Sequence, residues 1–258
     1  MQAGFHGRDR GRRRVLDPFS PRSIPGLCAW WQASAITWLS HGDSVSAWLD
    51  LSGHGRDATQ TTSASQPTYK LTGTPFPYVV FDGVDDALTG SSGLAAGSAM
   101  TLVVVASSVD TTAYASTLSL GIATTSEEIG IMLDSTGTHL AVSNFAGPTS
   151  TAGDRYTTAV AAGWQVVSRV YAPPATPVLR QNGNGALSYT TAVGDWSGVN
   201  LNHGANNYPF ALGAAAGGTL TPLGVNLAEA LIYSRALSDG ERGRLEKTLG
   251  ARYGLTIT

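Results

Sequence analysis

Short runs of β-branched, aromatic and aliphatic residues, cut off every 8–12 residues by Gly, Asp, Ser or Thr, dominate this chain. The clearest are residues 27–32, 46–50, 78–82, 100–107, 117–123, 128–134, 139–144, 164–171, 177–181, 186–191, 208–213 and 226–234. Such runs read as strands. A dozen of them can bury apolar faces only against one another, so the expected fold is all-β, a sandwich or barrel. Asn182-Gly183, between 178–181 and 186–191, predicts a tight hairpin because both residues tolerate positive φ. One helix is expected near the end. Ser238 and Glu241 fit a capping box, Leu245, Leu249 and Tyr253 form one apolar stripe, and Gly254 stops it. A lone terminal helix is expected to cover an open end of the sandwich.

Composition agrees with many strands and polar turns. The 258 residues include 31 Gly, 25 Ser and 28 Thr, with only 13% charged, while 42% hydrophobic content is enough for a core. No run of 18 apolar residues exists, so no membrane-spanning helix is expected. The single cysteine, Cys28, excludes an internal disulfide and a cysteine-based zinc site, and its apolar neighbours predict a buried, inert thiol. The charged N-terminus has no apolar stretch behind it, which predicts assembly in a bacterial cytoplasm without an export signal.

Charge is uneven. Residues 1–22 hold six arginines against Asp9 and Asp17, a balance of +4, so the rest of the chain carries −6. Pro18, Pro21 and Pro25 and the lack of periodicity predict an extended arm, residues 1–24, ahead of one domain, residues 25–258. Arg8, Arg10, Arg12, Arg13, Arg14, Phe19 and Arg22 are the candidate anchors to a partner. Guanidinium suits bidentate pairing with protein carboxylates. The alternative is a tail without a partner. The acidic domain offers no basic groove, so nucleic acid is not expected to bind.

Residues 226–242, Asn-Leu-Ala-Glu-Ala-Leu-Ile-Tyr-Ser-Arg-Ala-Leu-Ser-Asp-Gly-Glu-Arg, resemble the closing segment of laminin-G-like, concanavalin A-like jelly-roll domains. Residues 164–171 with 178–183 resemble that family's central strand pair, and Phe81-Asp-Gly-Val-Asp-Asp86 its "Phe-Asp-Gly-x-x-Asp" strand. Residues 25–34, 45–48 and 50–59 are similar to the opening of the form found in tailed-phage structural proteins. Gln32 and His54 depart from it, where Asp and Asn are usual. The resemblance spans about residues 25–256 and implies a jelly-roll sandwich; none of its motifs specifies an activity.

Catalysis is not expected. The Glu-x-Asp-x-Glu strand of laminarinase-like relatives is missing, and Glu127 and Glu128, being adjacent, face opposite ways. His6, His41, His54, His139 and His203 are scattered, with no partner pattern. No cofactor is expected apart from calcium, which the resemblance admits and for which Asp82 and Asp85, beside Asp86, are the candidates. The alternative is that Asp82-Gly83 makes a tight turn. Trp30, Trp31, Trp38, Trp48, Trp164 and Trp196 could stack on sugars, though core roles account for most of them. Trp196 and Tyr208, in a loop-rich stretch, are the candidate glycan-binding aromatics.

Together these features predict a non-enzymatic bacteriophage virion protein, in the capsid decoration or the tail. It would be anchored to other virion proteins through its arm, display a lectin-like sandwich toward host glycans, and self-associate in some assemblies. The rival reading is a carbohydrate-binding module of a bacterial surface or secreted protein.

Overall fold

A computed structural model describes residues 19–94, 99–108, 116–122, 127–133, 139–146, 150–159, 163–172, 175–184, 189–193, 208–215 and 220–258. Arg8, Arg10, Arg12, Arg13, Arg14 and Trp196 lie outside them.

Two antiparallel sheets form a jelly-roll sandwich. The seven-stranded sheet contains β1 (Leu27–Gln32), β4 (Thr68–Lys70), β5 (Tyr78–Asp82), β7 (Met100–Ser108), β12 (Gln165–Ala172), β13 (Ala175–Gln181) and β18 (Gly224–Tyr233). Its order is β13-β12-β7-β18-β5-β4, and β1 shares the β5 edge of β18. The nine-stranded sheet contains β2 (Ala47–Trp48), β3 (Ala58–Thr59), β6 (Leu88–Ser91), β8 (Ser116–Ile122), β9 (Glu127–Leu133), β10 (His139–Ala146), β11 (Ser150–Ala159), β14 (Tyr189–Val193) and β15 (Pro209–Leu212). A small ribbon pairs β16 (Ala214–Ala215) with β17 (Leu220–Pro222). The helix α1 spans Asp239–Tyr253.

The core has two layers. Between the sheets, Trp31, Phe81, Leu102, Val104, Val167 and Leu227 meet Trp48, Leu88, Leu118, Ile129, Ile131 and Phe210. On the outer face of the seven-stranded sheet, Trp30, Val103, Val105, Val166 and Leu231 meet Leu245, Leu249 and Tyr253 of α1. The helix therefore lies across a sheet face rather than plugging an open end. This also explains why Leu102-Val103-Val104-Val105 is continuously apolar: β7 is buried on both sides. Gly213, at φ 76°, stands where a Cβ would fall 2.0 Å from the Phe81 ring. The helix ends follow the expected chemistry, with Ser238 and Glu241 forming the reciprocal capping box and Gly254 at φ 68° closing the last turn.

The Asn182-Gly183 turn forms, with φ of 51° and 75°, but it does not close a hairpin. β13 pairs with β12, whereas β14 pairs with β11 in the other sheet. The turn instead binds β12, through Val166 N–H to Asn182 Oδ1 (2.9 Å) and Asn182 N–H to Val166 O (2.8 Å), and its Asn182 carbonyl accepts the Thr258 N–H (3.0 Å).

Charged groups are buried in the helix–sheet layer. Glu229, with no exposure, accepts Trp30 Nε1 (2.6 Å), Arg252 (2.7 and 2.8 Å) and Tyr253 Oη (2.7 Å). Glu246 accepts from Ser168 Oγ, with Arg180 and Arg242 each 4.0 Å away. Burial pushes the Glu246 carboxyl up, against the pull of Ser168 and the two guanidinium groups. Arg169 spans the inter-sheet core to the Gly130 carbonyl at 2.7 Å.

Candidate functional site

Residues 19–24, the described end of the N-terminal segment, pack on this domain. Phe19 packs on the helix layer with the Arg244 guanidinium 5.8 Å from its ring centroid, in a groove lined by Gly240, Gly243, Lys247, Thr248 and Ala251. Arg22 donates to the Leu51 carbonyl, its Nε at 2.7 Å. Pro21 and Ile24 are buried, and the Pro21 carbonyl accepts the Tyr233 hydroxyl at 3.2 Å. Two residues expected to anchor a partner, Phe19 and Arg22, are thus engaged within the chain. The packed body begins by residue 19, not 25, because this segment completes the outer apolar layer.

The opening segment, residues 28–57, builds a knot. Asp50 Oδ1 accepts the N–H groups of Trp30 (3.0 Å) and Ser52 (2.8 Å); Oδ2 accepts Ser52 Oγ (2.6 Å) and the Arg56 N–H (3.0 Å). Ser52 Oγ and an Arg56 guanidinium nitrogen both donate to the Cys28 carbonyl at 2.8 Å, and Asp57 accepts the Asp50 N–H at 2.8 Å. Burial pushes the Asp50 carboxyl up, but the bonds from Ser52, Arg56 and Trp30 outweigh it and hold the group below its usual range. The motif's spacing is that of a loop clamp; its polar side chains are spent on backbone groups.

Asp82, Asp85 and Asp86 do come together after β5, each with a carboxylate oxygen within 4.8 Å of the others. Asp82 Oδ1 accepts the N–H groups of Val84 (2.8 Å) and Asp85 (3.3 Å). Asp86 Oδ2 accepts the Asp82 N–H (3.0 Å), and Asp85 Oδ2 accepts Ser65 Oγ (3.0 Å). Burial, then the charges of Asp82 and Asp85, raise the Asp86 carboxyl to about 6. Three hard oxygen donors fit calcium, which prefers six to eight oxygens at about 2.3–2.6 Å. Asp82 and Asp86 each bond a backbone N–H of the turn and Asp85 bonds Ser65, and these three carboxylates are the ones that would hold the ion.

The aromatic expectations change. Tyr208 is 3% exposed, immediately before β15, where its side chain joins the inter-sheet core with Leu94; it presents no stacking face. Trp30, Trp31 and Trp48 are core residues, and Trp164 makes edge contacts with Phe76 (4.9 Å) and Tyr78 (5.4 Å). Trp38 is different. It is 50% exposed, and it makes no hydrogen bond or ring contact with the described residues. Its surroundings in the sequence, Ile36-Thr-Trp-Leu39, look like another strand fragment whose alternation would place Trp38 inward with Ile36, so no sequence signal marks its exposure.

Among the described residues, no helix is long and apolar enough to cross a membrane. No protein-family model matches the sequence. No curated protein matches it either. Its fold has counterparts among solved structures. Domain 4 of an extracellular arabinanase from Geobacillus stearothermophilus, solved with arabinotriose, superposes with a TM-score of 0.61 at 15% identity, over 85% of this chain and 98% of that domain. Trypanosoma rangeli sialidase aligns at 0.57 and 14% identity over 93% of this chain, which spans 36% of the sialidase. The binding domain of Paraclostridial Mosquitocidal Protein 1 aligns at 0.59 and 12% identity, covering 87% of this chain and 52% of that one. At these identities the likeness establishes the fold alone, a jelly-roll β-sandwich, as the closing motif implied.

Proposed function

We propose that this chain is a non-enzymatic recognition domain, a bacteriophage virion protein that displays a lectin-like sandwich toward host glycans. The observation that carries the recognition role is the superposition on nearly the whole of an arabinanase domain that was solved holding arabinotriose. The virion placement rests on the opening motif, residues 25–59, and its resemblance to tailed-phage proteins. The non-enzymatic reading is supported by the acidic cluster: Asp86, although raised to about 6, is 5% exposed and bonded to the Asp82 backbone, so it does not face a substrate.

The same superposition favours a second reading, a carbohydrate-binding module of a bacterial surface or secreted protein. Antibody labelling and mass spectrometry of purified phage particles separate the two. The chain is expected in the particle, and the pure protein is expected to bind arrayed polysaccharides without releasing reducing sugar. Glycan binding by a chain absent from particles selects the module; turnover abolished by a single carboxylate substitution overturns both.

A further inference from the structure

The loop between β1 and β2 is built as a rigid display. Tyr69 fastens it at both ends: its hydroxyl donates to the carbonyls of Ile36 (3.0 Å) and Ala33 (3.3 Å), its carbonyl accepts the Gly42 N–H (2.8 Å), and its own N–H reaches the Asp43 carbonyl (2.9 Å). Inside, Ser40 N–H donates to Asp43 Oδ2 (2.7 Å) and Asp43 N–H to Ser40 O (3.1 Å). Ile36 and Val45 are buried, and Leu39 packs on the core. The loop therefore has its anchors already. Trp38 is not one of them.

A half-exposed indole on a pinned loop offers apolar ring surface to solvent and an N–H donor that bonds to none of the described residues. His41, exposed on the same loop, accepts the Leu71 N–H at Nδ1 (3.1 Å), which leaves Nε2–H as a second donor. Fixed aromatic and polar groups of this kind lose little entropy on binding. A protein partner needs a broad patch, about 800 Å² on each side. The large exposed apolar side chains among the described residues are only Trp38, Leu49, Leu71 and Val84. One indole face instead matches one sugar ring, whose axial C–H groups meet the π face while its hydroxyls take the donors.

We infer that Trp38 is the stacking platform of a glycan site, with His41 as a hydroxyl-binding donor, and that the ligand is a pyranose unit of a cell-surface polysaccharide. This rests on the recognition role proposed above. The test is an array of pyranose-based bacterial surface oligosaccharides, with arabino-oligosaccharides alongside, probed with the full chain. Trp38→Ala is expected to weaken binding at least tenfold without moving Tm, and Trp38→Tyr to restore part of it. Tyr69→Phe, which frees the Ile36 carbonyl, should weaken binding less. Pyranose binding undiminished in Trp38→Ala overturns the site and leaves the recognition role standing. Binding of the arabino-oligosaccharides alone overturns the pyranose assignment, and no binding to any glycan overturns site and role together.

Discussion

The Tyr253 hydroxyl lies 2.7 Å from Oε2 of Glu229, a carboxylate with no solvent exposure, and so ties the last turn of α1 to the middle of β18. Burial first, and then the Glu229 charge, raise the Tyr253 phenol far above its ordinary range, so it remains a donor. Arg252 and Trp30 fill the remaining acceptor sites.

That carboxylate is the most sensitive point of the helix–sheet layer. Glu229→Ala would strand three donors, two of them buried, and is expected to cost about 3–5 kcal/mol. Glu229→Gln keeps an acceptor of the same shape and should cost about 1–2 kcal/mol. Urea unfolding of the two variants checks the ranking. Equal losses would mean that the charge and second acceptor oxygen of the carboxylate, rather than its shape, hold the layer together.

Asp50→Ala should also destabilise, by about 2–3 kcal/mol, since four donors lose one acceptor group, part of it half-buried. Because Tyr69 and Asp43, not Asp50, fasten the Trp38 loop, glycan binding by the folded variant should be unchanged. A binding loss at constant Tm would move the site to the opening motif.

How far the sequence could be read follows from how local each signal is. β1 and β5 run as expected, and α1 is fully legible, because capping box, stripe and αL glycine are all written between Ser238 and Gly254. β11 carries no such local signal: Ser-Thr-Ala-Gly-Asp-Arg-Tyr-Thr-Thr-Ala lacks apolar alternation and has no Val, Ile or Leu, and its pairing with β10 and β14 is a tertiary fact. The Asn182-Gly183 turn was legible but its partner strands were not, since a turn fixes backbone dihedrals and not which sheet receives the next strand. Exposure was the least legible property. Tyr208 and Trp38 both border strand-like text, and only the packing of the two sheets decides which ring faces out.

The acidic cluster gives a pH signature. Asp86 rises from 3.8 to about 6 on folding, so the folded state binds more protons between those values, and its contribution to stability falls as pH rises from about 4 to about 6. Asp86→Asn should remove that fall, on the order of 2 kcal/mol, in unfolding curves across this range. Glu241, lowered to about 2 chiefly by Arg235, acts with the opposite sign in a lower window: its contribution is present above about 4.5 and lost as pH falls toward 2. An ion held by Asp82, Asp85 and Asp86 would replace the Asp86 proton. Millimolar calcium should then raise Tm at pH 7 and flatten the slope, and Asp85→Ala should abolish both effects. Identical melting in calcium and EDTA assigns the cluster to the turn alone.

The N-terminal segment supplies the sharpest structural test. Removing residues 1–18 leaves Phe19, Pro21, Arg22 and Ile24 in place, so Tm should not change. Starting the chain at Ser23 removes the Phe19 ring from the α1 groove, the Pro21 carbonyl from the Tyr233 hydroxyl, and the Arg22 guanidinium from the Leu51 carbonyl. Tyr233 is buried with its phenol raised by burial and then by Glu229, so it stays protonated and keeps an unmet donor, worth about 1–3 kcal/mol. Losing a half-buried Phe adds about 1 kcal/mol. Thermal melts should therefore show the Ser23 chain destabilised by about 2–4 kcal/mol while the Phe19 chain matches the full-length protein. Incorporation into particles gives the second readout. If the arginines of residues 8–14 are the anchors, both truncated chains fail to incorporate, although only one is destabilised. Normal incorporation of the Phe19 chain would make residues 1–18 a tail without a partner, and equal melting of the two truncated chains would return the domain boundary to residue 25.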